Sequence, residues 1–189
     1  MADVNNNPLN PVINVRAFGE TPDTVAALVA AFIAGTQGQG VLTTAKHFPG
    51  HGDTAMDSHL ELPQLPQGRD RLEALEWVPF RAAIAAGVSS IMTAHLRVPS
   101  LDPQDPATLS PAVLTQILRQ DWGFDGIIVT DALMMQAITQ HYGAEEAPVR
   151  ALEAGADVVL MPVNPPRRSP PLSPPWSRVA SVNSGSTNP

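Results

Sequence analysis

"GIIVTDAL", residues 126–133, is the stretch on which the fold turns. It is nearly continuous in apolar residues until it ends in Thr130 and Asp131, so it reads as a strand buried on both sides rather than one that alternates toward water. Working outward, three more stretches have the same character: "VLTTAKHF" (41–48), "SSIMTAHL" (89–96) and "ADVVLMP" (156–162). Helical patterns alternate with them. "TPDTVAALVAAFIAGTQGQG" (21–40) opens with Thr21 as N-cap and Pro22 as first helical residue, and spaces Val25, Leu28, Val29, Phe32 and Ile33 along one face. Residues 69–87 read as a helix interrupted near Pro79, residues 110–124 as a helix capped by Ser110 and Pro111, and residues 145–155 as a shorter helix. Apolar strands alternating with helices indicate a parallel sheet covered on both faces.

Such a sheet can be an open doubly wound one or a closed (β/α)8 barrel. No Gly-x-Gly-x-x-Gly turn follows a strand, which weakens the dinucleotide-binding version. Polar residues recur instead at the strand ends "TTAKH", "MTAH" and "VTD", and in a barrel those C-terminal ends converge on one active-site face. A complete barrel takes about 250 residues, with about 200 at the lower end. The 189 residues here hold four to five β/α units, so the expectation is α/β, a partial TIM (β/α)8 barrel over residues 1–163. Residues 164–189, "NPPRRSPPLSPPWSRVASVNSGSTNP", change to proline pairs and serines without an acidic residue and read as a disordered tail with polyproline tendencies.

Composition excludes several classes. A net charge of -7 argues against a phosphate-backbone binder, so no nucleic-acid partner is expected. No stretch reaches the roughly 18 apolar residues of a membrane span, and residues 1–10, "MADVNNNPLN", lack the pattern of an export signal. The absence of cysteine removes disulfides and thiolate metal sites and suits a reducing compartment, so cytoplasmic placement is the expectation.

Chemistry concentrates in "KHFPGHGDTAMDSH", residues 46–59, which holds three of the five histidines. A metal reading would draw on His47, His51, Asp53, Asp57 and His59. The spacing speaks against it: there is no His-Glu-x-x-His helix, and Pro49, Gly50 and Gly52 make the segment an irregular loop. No metal and no cofactor are expected. A catalytic reading rests on "DSH": if residues 57–59 are extended, Asp57 and His59 project to the same side, and a carboxylate can orient an imidazole. An imidazole, titrating near 6.5 when unperturbed, both gives and takes protons near neutrality. The competing reading has Asp57 capping a turn and His59 exposed. Asp131 is delivered by its strand to the face where barrel chemistry occurs, and could also be the N-cap of the segment that follows. Asp125, at the opposite end of that strand, reads as a turn residue. A histidine acid and a strand-end carboxylate point to group transfer at an acetal or acyl centre.

"KHFPGHGDTAMDSH", followed by "IMTAH" and "IIVTDALMM", closely resembles the N-terminal barrel domain of glycoside hydrolase family 3, in its bacterial β-N-acetylhexosaminidase branch, from about residue 5 to 162. The resemblance implies that Asp131 is the nucleophile and His59 the acid/base, with Asp57 as its dyad partner. It also implies that Lys46 and His47 bind hydroxyls of an N-acetylglucosamine unit and that Arg16, in "NPVINVRAFG", is a sugar-binding arginine. His51 and Asp53 are expected to shape the loop, His95 to support the pocket floor or sit satisfied in the core, and His141 to be exposed. The implied reaction is retaining hydrolysis of terminal N-acetyl-β-D-glucosaminides, from cell-wall muropeptides or chitin-derived oligosaccharides. A neutral histidine base repels an anionic acceptor less than a carboxylate would, so phosphorolysis is the alternative. In the family, strands precede the segment that opens here and include an aspartate holding the sugar's hydroxyls. The chain therefore reads as a truncated member, and an inactive fragment is the third reading.

Overall fold

Four short strands, β1 (Thr44–Phe48), β2 (Ser90–Thr93), β3 (Ile127–Ala132) and β4 (Val158–Leu160), form one parallel sheet in the order β1-β2-β3-β4 in the computed structural model, which describes residues 1–163. The Pro/Ser-rich stretch 164–189 lies outside the described residues. Among the described residues the strand order never reverses, so this part of the sheet lacks the switch point that defines a doubly wound fold. Successive neighbours are how strands follow one another around a barrel, and the fold is a partial (β/α)8 barrel with four strands among the described residues.

Register places Ala45, Ile91 and Ile128 side by side, and all three are buried in one core with Val29, Phe80 and Ala83. Alternation puts Thr44, Ser90 and Ile127 on the opposite face, where Ile127 remains 43% exposed. The expectation of a sheet covered on both faces is thus corrected for the described residues. The inner face of a barrel is filled by side chains from all of its strands, and four strands supply only part of that filling.

The helices depart locally from the sequence pattern. Helix α1 (Pro22–Gln37) buries Val25, Val29 and Ile33, but Leu28 and Phe32 stay exposed, so its core stripe is narrower than the apolar spacing. Thr21 does not cap it through its side chain: the Thr21 hydroxyl pairs with that of Thr24 at 2.8 Å. The next run is α2 (Arg69–Arg71), a π-type turn (Leu72–Glu76) and α3 (Val78–Ala85), with the Trp77 N–H reaching five residues back to the Leu72 carbonyl at 2.8 Å. The break falls just before Pro79, which has no N–H to continue the ladder. A second π-type helix covers Ala112–Asp121, and at its start the Ser110 hydroxyl accepts the Val113 N–H at 3.3 Å. The short helix α4 (Gln136–Thr139) follows β3, and α5 (Glu146–Ala154) precedes β4. Asp131 lies within β3 and Met135 stands at the N-cap of α4, so the N-cap reading of Asp131 is corrected.

One aromatic cluster fixes the site's base. Phe48, the last residue of β1, packs edge-to-face on Phe80 and Trp122 with centroids 5.3 and 5.4 Å away. Burial of such rings anchors the strand end from which the histidine loop departs.

Candidate active site

The site is built from the N-terminal segment, the end of β1, the loop that follows it, and the end of β3. Asp3 is fully buried. Its carboxylate accepts the backbone N–H of His47 (3.1 Å to Oδ1, 3.0 Å to Oδ2), the backbone N–H of His51 (2.8 Å to Oδ1) and the ring Nδ1–H of His47 (2.9 Å to Oδ2). Burial alone would push this carboxyl up. The adjacent His47, its ring hydrogen bond and His51 outweigh burial and hold Asp3 below the usual carboxylate range. On the far side of the ring, Nε2 of His47 stands 3.9 Å from Oδ2 of Asp131. Asp131 is 19% exposed, and its Oδ1 accepts the backbone N–H of Ala132 at 2.8 Å.

Glycines and a buried asparagine shape the loop over residues 46–59. The Asn10 amide donates to the carbonyls of His51 (2.7 Å) and Gly52 (3.1 Å), and its Oδ1 accepts the N–H groups of Val12 and Ile13. A Cβ on Gly52 would collide with the Val4 carbonyl oxygen, and Gly50 has φ +125° with a Cβ position 2.8 Å from Cβ of Glu76, so only glycine serves at either place. His51 is buried, its Nδ1 2.7 Å from the Thr54 hydroxyl and its Nε2 2.9 Å from the Ser58 hydroxyl. Burial, the leading influence, lowers its pKa. Asp53 meets Gln67 and Arg71 at 2.8 and 3.2 Å. His51 and Asp53 therefore do shape the loop.

Asp57 and His59 pair, though not through an extended backbone. Oδ1 of Asp57 accepts both the backbone N–H of His59 (2.8 Å) and its ring Nδ1–H (2.7 Å), and the Leu60 and Glu61 N–H groups reach the Asp57 carbonyl. This is an aspartate-capped turn, so the period-two argument is corrected while the pairing it anticipated is present. Burial pushes Asp57 up, but the two hydrogen bonds from His59 and its charge together prevail and lower its pKa. The His59 ring is 60% exposed. Gln136 at the start of α4 donates its N–H to the His59 carbonyl at 3.3 Å, joining the loop to the segment after β3. His59 and Asp131 line one cleft of about 380 Å³ with Met134, Met135, Gln136 and Met161.

His95 is fully buried with both ring nitrogens partnered: Nε2–H donates to the Ala132 carbonyl (3.0 Å) and Nδ1 lies 2.9 Å from the Thr108 hydroxyl. Burial, against the Ala132 bond and Asp131, lowers its pKa to about 4. It is a satisfied core residue that props the backbone beside Asp131. Lys46 projects from β1, half-buried, without an ion pair among the described residues. Arg16 sits in an exposed 3-10 turn (Asn14–Arg16), donates to the Val12 carbonyl at 3.1 Å, and does not line the cleft of His59 and Asp131. His141 is exposed. No group of three or more His, Asp or Glu side chains among the described residues is arranged to hold a metal ion, and no described helix is long and apolar enough to cross a membrane. Sequence reasoning missed Asp3 and Asn10, whose partners are remote in the chain, and Ser58, which meets His51 within the same loop.

The description "Glycosyl hydrolase family 3 N terminal domain" matches residues 1–173. Beta-hexosaminidase A of Pseudoalteromonas piscicida is 42% identical over 173 residues, covering 85% of this chain and 29% of the relative. Among solved structures, a glycoside hydrolase family 3 beta-N-acetylglucosaminidase from Paenibacillus sp. superposes with TM-score 0.83 at 52% identity, covering 84% of this chain and 30% of the other. A beta-glucoside phosphorylase bound to 2FGlc superposes with TM-score 0.80 at 32% identity, covering 84% and 30%. The chain thus spans less than a third of the length of each of these three relatives.

Proposed function

The chain belongs to glycosyl hydrolase family 3, and from that premise we propose that it carries the catalytic centre of a retaining β-N-acetylhexosaminidase acting on terminal N-acetyl-β-D-glucosaminides. One observation carries the reading: Asp131 at a strand end and the Asp57-paired His59 on its loop line the same cleft. In the first step an Asp131 oxygen bonds to the anomeric carbon as the bond to the leaving oxygen breaks, and His59 gives that oxygen its proton from Nε2. In the second step neutral His59 takes a proton from water, the water oxygen bonds to the anomeric carbon, and the Asp131 carboxylate is released. Asp57 occupies Nδ1–H and leaves Nε2 as the nitrogen that exchanges the proton. The resemblance assigns Lys46, His47 and Arg16 to the sugar's hydroxyls; His47 lies beside the proposed nucleophile, whereas Arg16 lies outside the cleft of His59 and Asp131. Muropeptides and chitin-derived oligosaccharides both present the required terminal sugar.

The test is release of an aryl alcohol from its N-acetyl-β-D-glucosaminide. Asp131→Ala should reduce turnover by about 10³-fold or more, as removal of a covalent nucleophile does. Full activity in that variant, or a folded wild-type chain that releases nothing, sinks the proposal. The similarity to a beta-glucoside phosphorylase supports keeping phosphorolysis as the second reading, with phosphate in place of water. Sugar 1-phosphate among the products, formed only when phosphate is added, would select it.

A further inference from the structure

Asp3 joins both halves of the site. Its Oδ1 holds the backbone N–H of His51 and shares that of His47 with Oδ2, which also holds the His47 ring through Nδ1. A carboxylate only accepts hydrogen bonds, so Nδ1 must carry a proton. In a neutral imidazole the other nitrogen is then a bare acceptor. That nitrogen, Nε2, is the one facing Oδ2 of Asp131 at 3.9 Å.

We infer that Asp3 is a positioning residue that fixes His47 as its Nδ1–H tautomer, so that Nε2 accepts a substrate hydroxyl beside Asp131 instead of donating to the nucleophile. The consequence for catalysis rests on the function proposed above; the tautomer itself does not. A proton on Nε2 would instead aim a donor at Oδ2 of Asp131 and draw off the charge that has to attack. The same carboxylate roots the loop. It holds the N–H of His51, whose Nε2 meets Ser58, the residue between Asp57 and His59. That Asp3 is held in its ionised form despite complete burial is consistent with a group that only accepts.

Replacing Asp3 by Asn separates this role from simple anchoring. The His47 N–H is shared by both oxygens but the His51 N–H reaches Oδ1 alone, at 2.8 Å, so the amide oxygen is favoured at that position, which turns the NH2 group toward Nδ1 of His47. Nδ1 can then only accept, and the ring proton moves to Nε2. The experiment is nitrogen NMR of the 15N-histidine-labelled chain at the alkaline end of the His47 titration, with the signals assigned by their loss in His47→Gln. The expected result is protonated Nδ1 in the wild type and protonated Nε2 in Asp3→Asn. For an aryl N-acetyl-β-D-glucosaminide, kcat/KM should fall about 10- to 100-fold in that variant, mostly through KM, as expected when one buried hydrogen bond is reversed. A wild-type chain with the proton on Nε2, or a folded Asp3→Asn that keeps it on Nδ1, overturns the inference. Should Asp3→Asn not fold, the wild-type spectrum alone decides. Loss of the proposed activity would leave the NMR result standing, so the two readings fail separately.

Discussion

The two ends of the candidate site are built by opposite means. At the Asp131 end, the proposed nucleophile sits on a strand, His47 is buried beside it, and a wholly buried carboxylate holds that histidine. At the His59 end, the dyad is a local turn on a loop, the ring mostly in solvent, its partner only two residues away. A group that must attack one carbon gains from a rigid element, because small errors in position raise the barrier. A group that must reach a leaving oxygen and then a water needs less confinement and a supply of protons. The difference implies that substitutions at the two ends separate activity from stability.

After Asp131→Ala, the largest effect expected is in catalysis at the exposed end. His59→Ala should lower turnover by about 10²- to 10⁴-fold for a substrate with a basic leaving group, the range of a general acid, and much less for an activated phenol. Its melting temperature should stay within a degree or two of the wild type, because the ring is exposed. Equal losses for both leaving groups would reject the acid role, and a large drop in melting temperature would break the comparison. At the buried end the cost should fall on the fold. Gly52→Ala sets a methyl group against the Val4 carbonyl, a backbone atom that cannot swing aside, and should destabilise the chain by about 3 kcal/mol in a urea titration. An unchanged urea midpoint would show that the contact between the loop and the N-terminal segment is not built as described.

The smallest expected effect is a dependence of stability on pH. Folded His95, with a pKa lowered to about 4, resists the proton that an unfolded histidine accepts at about 6.5. The unfolded chain therefore binds more protons in this window: stability is full above about pH 6.5 and declines as pH falls toward about 4. His51, lowered in the same direction by burial, adds to the slope. His95→Gln should be less stable at neutral pH but show a flatter decline, read from urea midpoints across the window. An identical slope in the variant would mean that His95 is not held neutral by its burial.

Much of this was legible from local pattern. All four strands were visible as apolar runs, and Lys46, His47 and Asp131 were placed at strand ends by counting along them. Pairing of Asp57 with His59 was also visible, since the partners are two residues apart, although a turn and not an extended segment brings them together. Asp3 was not. It lies in a polar-looking stretch, and its partners His47 and His51 are 44 and 48 residues away. One signal could have found it: Asp3 is flanked by Ala2 and Val4, both buried, an acidic residue set within a short apolar segment. Asn10 is hidden for the same reason, its bonds reaching loop carbonyls more than 40 residues on.

By itself the sequence determined the repeating β/α units and the glycine and proline positions that make the histidine loop irregular, and it offered Asp57, His59 and Asp131 as candidates for proton and nucleophile chemistry. Those properties follow from residue type and spacing within a few positions. Only the tertiary structure decided the strand order, the opening of the sheet's inner face, the placing of Asp131 and His59 on one cleft, and the buried carboxylate that sets the His47 ring. Those depend on hydrogen bonds and packing between segments far apart in the chain, and a carboxylate bond to an imidazole leaves no periodic trace in the residues around it.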